Sequence, residues 1–188
     1  MTRWEPGSRG RLEAAALDLF LEQGFENTTV AEIAERAGLT ERTFFRHFSD
    51  KREVLFPGEE TFQDTITIGA ASAPVGLGPL DAAFVGLQSV SGMLQDRRPY
   101  AQKRQKVISA NAELRERELI KLQSLSAGLA ETMRARGVSD PSAGLIAEVA
   151  VAVFKSSFAQ WVSPNNTRVL AQVLRESLDE LRGFSSLT

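Results

Sequence analysis

Apolar residues recur along this chain at intervals of three and four, the spacing that puts them on one face of an α-helix. Leu12, Ala16, Leu19 and Phe20 form the first such stripe, with Glu13, Asp18 and Glu22 off it, and Gly24 follows as a stop. Val30, Ile33, Ala34 and Ala37 trace a second face, and Thr29 with Glu32 makes the T-x-x-E pattern of a capping box at its start. Gly38 ends that helix. Thr40 is placed to cap a third, on which Phe44 and Phe48 lie one turn apart. Asp50 and Glu53 read as the cap of a fourth, which "FPGEE" should break or kink because proline removes an amide donor.

Beyond Phe56 the pattern continues in longer pieces. "ASAPVGLGP" is a loop by composition, and Pro79 suits the first turn of a helix carrying Leu80, Phe84, Leu87 and Leu94. "RRPYAQKRQKVIS" predicts a short basic helix. The next carries Leu122, Leu125, Leu129 and Met133 on one stripe, a Glu113–Arg117 pair at i, i+4, and Gly137 at its end. Pro141 opens a helix to about Trp161, "SPNN" is a turn, and the last helix carries Val169, Leu170, Val173, Leu174, Leu178 and Leu181. No alternating run is long enough for a sheet, and no repeat is present. The expected fold is all-α, with about nine helices. Three form a small N-terminal unit at 1–55, joined by a shared fourth to a larger helical domain at 56–188.

Composition narrows the chemistry. The 188 residues contain no cysteine and one histidine, which excludes disulfides and thiolate chemistry and argues against a metal site. No nucleophile motif, phosphate-binding glycine loop or metal-ligand spacing occurs, so no enzyme activity, cofactor or metal is expected. The formal net charge of -2 leaves no basic coat for nucleic acid, only the option of a local basic face. The N-terminal stretch lacks a sustained apolar run, and "LIAEVAVAVF" is short for a membrane span and interrupted by Glu148. A cytoplasmic protein without membrane association is the expectation.

That local face lies in "TTVAEIAERAGLTERTFFRHFSDKREVL", residues 28–55. Two short helices joined by a glycine-containing turn have the form of a helix-turn-helix. With Phe44 and Phe48 turned inward, the second helix is left presenting Glu41, Arg42, Thr43, Phe45, Arg46 and His47. Guanidiniums suit guanine edges or phosphates, and an aromatic can touch a thymine methyl. Arg36, Lys51 and Arg52 add positive charge nearby.

The segment resembles that of TetR-family transcriptional regulators. The likeness runs from about Arg9 to Leu55, through "ALDLFLEQGFENTTVAEIAERAG" and "TERTFFRHFSDKREVL". The resemblance implies a second helix in the major groove of an operator, with Arg42, Thr43, Phe45 and Arg46 as base or backbone contacts. It makes His47 and Lys51 phosphate contacts, and Thr29 with the amides at its helix start could hold a phosphate as well. Phe45 departs from the tyrosine common in the family and, having no hydroxyl, favours apolar base contact. The resemblance further implies a homodimer and a small-molecule inducer acting on a ligand-released repressor. An activator of the same fold, or a helical small-molecule binder without DNA activity, is the alternative. The expected dimer surface is Val149, Val153, Leu170, Val173, Leu174, Leu178 and Leu181, on the last two helices. Phe84, Gln88, Phe158 and Trp161 are expected to line an apolar ligand pocket.

Overall fold

A computed structural model describes residues 7–185. Every regular element among them is helical. Ten α-helices run in order: α1 Ser8–Gln23, α2 Val30–Arg36, α3 Glu41–His47, α4 Glu59–Ala71, α5 Pro79–Ser89, α6 Ser91–Asp96, α7 Arg98–Ala110, α8 Ala112–Ala135, α9 Ser142–Val162 and α10 Leu170–Ser185. A 3-10 turn, Arg52–Leu55, lies between α3 and α4. The stripe expected to run from Leu80 through Leu94 is divided at Val90, which caps the end of α5 and begins α6.

The chain forms two compact units. Among the described residues the first holds 7–58 together with 103–117, and the second holds 59–102 with 118–185. α7 and α8 contribute to both units, and the stretch expected as a shared fourth helix consists of the 3-10 turn in the first unit and α4 in the second.

In the first unit Leu12, Ala16, Ile33, Phe44, Val54, Leu55, Ile108 and Leu114 are fully buried. Local chemistry sets its helix boundaries. Thr29 accepts the Glu32 amide while Glu32 accepts the Thr29 amide, the reciprocal capping box read in the sequence. Gly38 takes φ +65°, a left-handed conformation that side-chain-bearing residues rarely adopt, and lets the chain turn from α2 into α3. Asp50 accepts the amides of Arg52 and Glu53, at 2.8 and 3.2 Å, so the expected cap is present but starts only a 3-10 turn. Arg117, expected to pair with Glu113, donates to Glu53 instead. Asn111 donates to Glu26 at 2.8 Å, and Arg104 donates to the Leu55 carbonyl at 2.6 Å. Arg104, in the basic run of α7, thus has an internal partner.

In the second unit α4 and α5 cross closely. A Cβ on Gly86 would stand 2.3 Å from the Ile66 carbonyl oxygen, so only glycine fits there. Gln95 accepts hydrogen bonds from the Trp161 indole at 3.0 Å and the Leu170 amide at 3.1 Å. Arg98 donates to the carbonyls of Trp161, Ser163 and Asn166, and Gln102 to that of Val162. These side chains satisfy the free carbonyls at the end of α9 and set its turn into α10.

That packing already covers most of the expected dimer seam within one chain. Leu170, Val173 and Leu174 are 0% exposed, Leu178 5% and Val153 8%, all covered by their own chain, while Val149 and Leu181 are partly buried. The stripe of α10 faces its own α9 and α6. At 21 residues α9 is long and apolar enough to cross a bilayer, although the sequence read as too short, but here it is a core helix against α5 and α10.

Candidate nucleic-acid interface

The helix-turn-helix presents α3 much as its pattern implies. Phe44 is 0% exposed and Phe48 4%, whereas Phe45 is 55% exposed. Glu41, Arg42 and Arg46 are exposed, and Thr43 and His47 are half-buried. The Thr40 hydroxyl caps α3 by accepting the Thr43 amide and shares a hydrogen bond of 3.1 Å with the Thr43 hydroxyl. His47 Nε2 shares one of 2.8 Å with Ser8 Oγ, which ties the end of α3 to the start of α1.

Ion pairing decides how much of the positive charge is available. Arg36 is held by Glu22 through two hydrogen bonds of 3.1 and 2.9 Å, and Arg52 is paired with Asp50 at 3.0 Å. Arg9 pairs with Glu13 and Lys103 with Asp18, both at 3.3 Å. Among the described residues the side chains of Arg11, Arg42 and Arg46 make no ion pair or hydrogen bond. Arg42 and Arg46 stand one turn apart on the exposed face of α3, with Phe45 beside them. The positive field is therefore narrower than the charge count suggests, and it is concentrated on the exposed face of α3. Arg11 extends it: its guanidinium would lie 3.9 Å from a Cβ at Gly38, in the turn itself. Nothing in the sequence pattern distinguishes Arg11 from its neighbouring arginines. Finding it required knowing which arginines have carboxylate partners.

Besides His47, two further expected phosphate contacts have internal commitments. The Thr29 amide and hydroxyl donate to Glu32 at 2.7 and 2.8 Å. Those bonds, with Gln23, hold the Glu32 carboxyl below its ordinary range. Lys51 Nζ donates to the carbonyls of Phe25 and Thr28 at 2.7 and 2.8 Å and lies 4.2 Å from the centre of the Phe25 ring.

The expected ligand residues are dispersed. Phe158 and Trp161 belong to a chain of ring contacts, Phe62–Phe154–Phe158–Trp161, with centroids 5.5–5.9 Å apart. Gln88 is half-buried on α5. Phe84 lines an open groove of about 410 Å³ between α5 and α10, where Leu77 and Val85 face Arg175 and Arg182. Gln88, Phe158 and Trp161 do not line it.

Residues 12–56 match the family described as bacterial regulatory proteins, tetR family, and residues 77–184 match the MftR C-terminal domain. The chain is 38% identical over 89 residues to the HTH-type transcriptional regulator TcmR of Streptomyces glaucescens, covering 47% of this chain and 39% of that one. It is 32% identical over 65 residues to the HTH-type transcriptional activator FasR of Mycolicibacterium smegmatis, covering 35% and 30%. The matches thus span well under half the length of these relatives. The fatty acid degradation regulator FadR of Bacillus halodurans superimposes with a TM-score of 0.63 at 17% identity, over 96% of this chain and 97% of that one. Thermus thermophilus FadR, a repressor solved with lauroyl-CoA, gives 0.57 at 22% identity over 93% of each chain. At these identities the structural likeness establishes the fold.

Proposed function

Because the chain belongs to the TetR family of bacterial regulatory proteins, we propose that it is a homodimeric repressor that binds an operator through α3 and is released by a small molecule. The observation that carries the DNA-binding part is the pair of unneutralised guanidiniums, Arg42 and Arg46, flanking the exposed ring of Phe45. Arginine can bond both guanine acceptors in the major groove, and an apolar ring suits a thymine methyl. Thr43 and His47 lie at the edge of this face and suit the backbone. Residues 1–55 are the DNA-binding part and 56–188 the ligand and dimer part. Its family is one of transcriptional regulators rather than enzymes. The place of work under this reading is the cytoplasm.

Dimerisation follows from contact number. One seven-residue recognition helix touches few base pairs, whereas two helices set about 34–36 Å apart read two half-sites. The surface proposed for the second copy is the outward face of α9, through Leu145, Val149, Ala152, Ser156 and Ala159. Leu145 is 66% exposed there. An inducer bound in the second unit, with the groove beside Phe84 as its entry, would favour a conformer with the wrong recognition-helix spacing. That requires unequal affinity for the two conformers.

The test is a titration of the full-length protein with duplex from upstream of its own coding sequence and with a scrambled duplex. Tighter binding to the first, with two protomers per site, supports the reading. Equal or absent binding to both overturns the DNA assignment and favours a helical small-molecule binder. A reporter behind that duplex gives the sign: increased expression on deleting the protein means repression, and decreased expression means activation, the role named for FasR.

A further inference from the structure

We propose that Lys51 serves the DNA interface as a positioning residue rather than as a phosphate ligand. This inference rests on the DNA-binding reading above and refines the part Lys51 plays in it. An ammonium has three donors and no acceptor. Two of those of Lys51 go to the carbonyls of Phe25 and Thr28, at 2.7 and 2.8 Å, and the Phe25 ring lies 4.2 Å from Nζ. The lysine is half-buried, and the ring beneath it is 7% exposed and packs edge-on against Phe20. An ammonium over an aromatic face is attracted by the ring as well as by the two oxygens. Without displacing a carbonyl, a phosphate could be met only by the third donor, and it would approach the Glu32 carboxylate, whose charge Lys51 already stabilises.

The positions of the two ends show what the contact does. Thr28 is the second residue before α2, and Lys51 is the fourth after α3. The bond between them clasps the helix-turn-helix at both ends. Neither end is loose. Thr28 is 1% exposed and donates its hydroxyl to the Gly24 carbonyl at 2.8 Å, and Asp50 fixes the 3-10 turn that Lys51 begins. Removing the ammonium would take the Lys51 donor from the Thr28 carbonyl and leave the Phe25 carbonyl with the Thr28 amide at 3.3 Å, loosening the segment that leads into the Thr29 cap. The orientation of α3 would then depend on its core phenylalanines and the His47–Ser8 bond.

The test compares full-length wild type with Lys51→Met and Lys51→Arg by hydrogen exchange of the free protein and by duplex titration at several salt concentrations. For Lys51→Met the expected result is exchange of amides 28–33 about tenfold faster or more, the size for losing hydrogen bonds to a charged group. Affinity for all duplexes should fall, while the slope of log affinity against log salt stays within about half a unit of wild type. Lys51→Arg, which can still donate to both carbonyls, should restore slow exchange. Unchanged exchange with a slope reduced by about 0.9 per protomer would overturn the proposal and make Lys51 a phosphate ligand. Should Lys51→Met fail to fold, the wild-type ammonium can be followed by nitrogen-detected NMR. A signal in contact with the Phe25 ring that stays in place on adding duplex supports positioning, and one that leaves the ring for the duplex refutes it. If wild type binds no duplex, the DNA reading fails, while the exchange experiment still decides what holds the loop.

Discussion

Phe44 and Phe45 are neighbours in the chain, but one is in the core and the other 55% exposed to solvent. The difference follows from the roughly 100° turn between successive helical residues. Phe44→Ala should destabilise the first unit by about 3–5 kcal/mol, as for other buried phenylalanines. Phe45→Ala should leave the melting temperature nearly unchanged and reduce the ratio of operator to scrambled-duplex affinity. Arg42→Ala should cost about 1–3 kcal/mol on the true site if the guanidinium reads a base, with less loss on scrambled duplex. Equal losses on both duplexes would instead make Arg42 a backbone contact. Titrations of both duplexes, with thermal melts of each variant, separate the roles.

Helix ends and crossings carry the next set of expectations. Glu32 is held below its ordinary range by the Thr29 amide and hydroxyl, and then by Gln23. For Asp50 burial acts upward, but hydrogen bonds from the Arg52 side chain and from the amides of Arg52 and Glu53 prevail, and its pKa is lowered. A carboxyl depressed in the folded state contributes stability above its unfolded value, about 4, and loses it as pH falls through the depressed value. The melting temperature of the first unit should therefore fall on acidification below about pH 4, and Glu32→Gln with Asp50→Asn should flatten that fall. In the second unit Gly86→Ala should cost about 1–3 kcal/mol, because its Cβ would meet the Ile66 carbonyl oxygen and α4 must move to admit it. Denaturant unfolding would measure that loss. An unchanged midpoint would mean that the crossing is loose.

At the scale of the whole molecule the question is which apolar surface remains for a second copy. Leu174 is 0% exposed within one protomer, so Leu174→Asp should unfold the second unit rather than release folded monomers. Leu145→Asp, at an exposed position, should leave the fold intact and halve the particle mass if the outward face of α9 is the dimer surface. Light scattering with circular dichroism distinguishes the outcomes. Folded monomers from Leu174→Asp would contradict the packing, and a dimer that persists in Leu145→Asp would move the interface elsewhere.

How much was legible beforehand follows the range of each interaction. The Thr29–Glu32 box, the Gly38 turn, the inward Phe44 and Phe48 and the outward Phe45 involve residues within about four positions, where helical geometry alone fixes the outcome. The sequence by itself therefore determined the helical class, the helix-turn-helix and the exposed face of α3. Only tertiary structure decided that Lys51 reaches back to Phe25 and Thr28, that Arg117 meets Glu53, and that Glu22 neutralises Arg36 while Arg42 and Arg46 stay unpaired. It also turned the α10 stripe toward its own α9. An apolar stripe states that a face must be covered, not what covers it, and a long cationic side chain can reach several acceptors. Those choices depend on residues up to 64 positions apart in these pairs, which become neighbours only when the chain is packed.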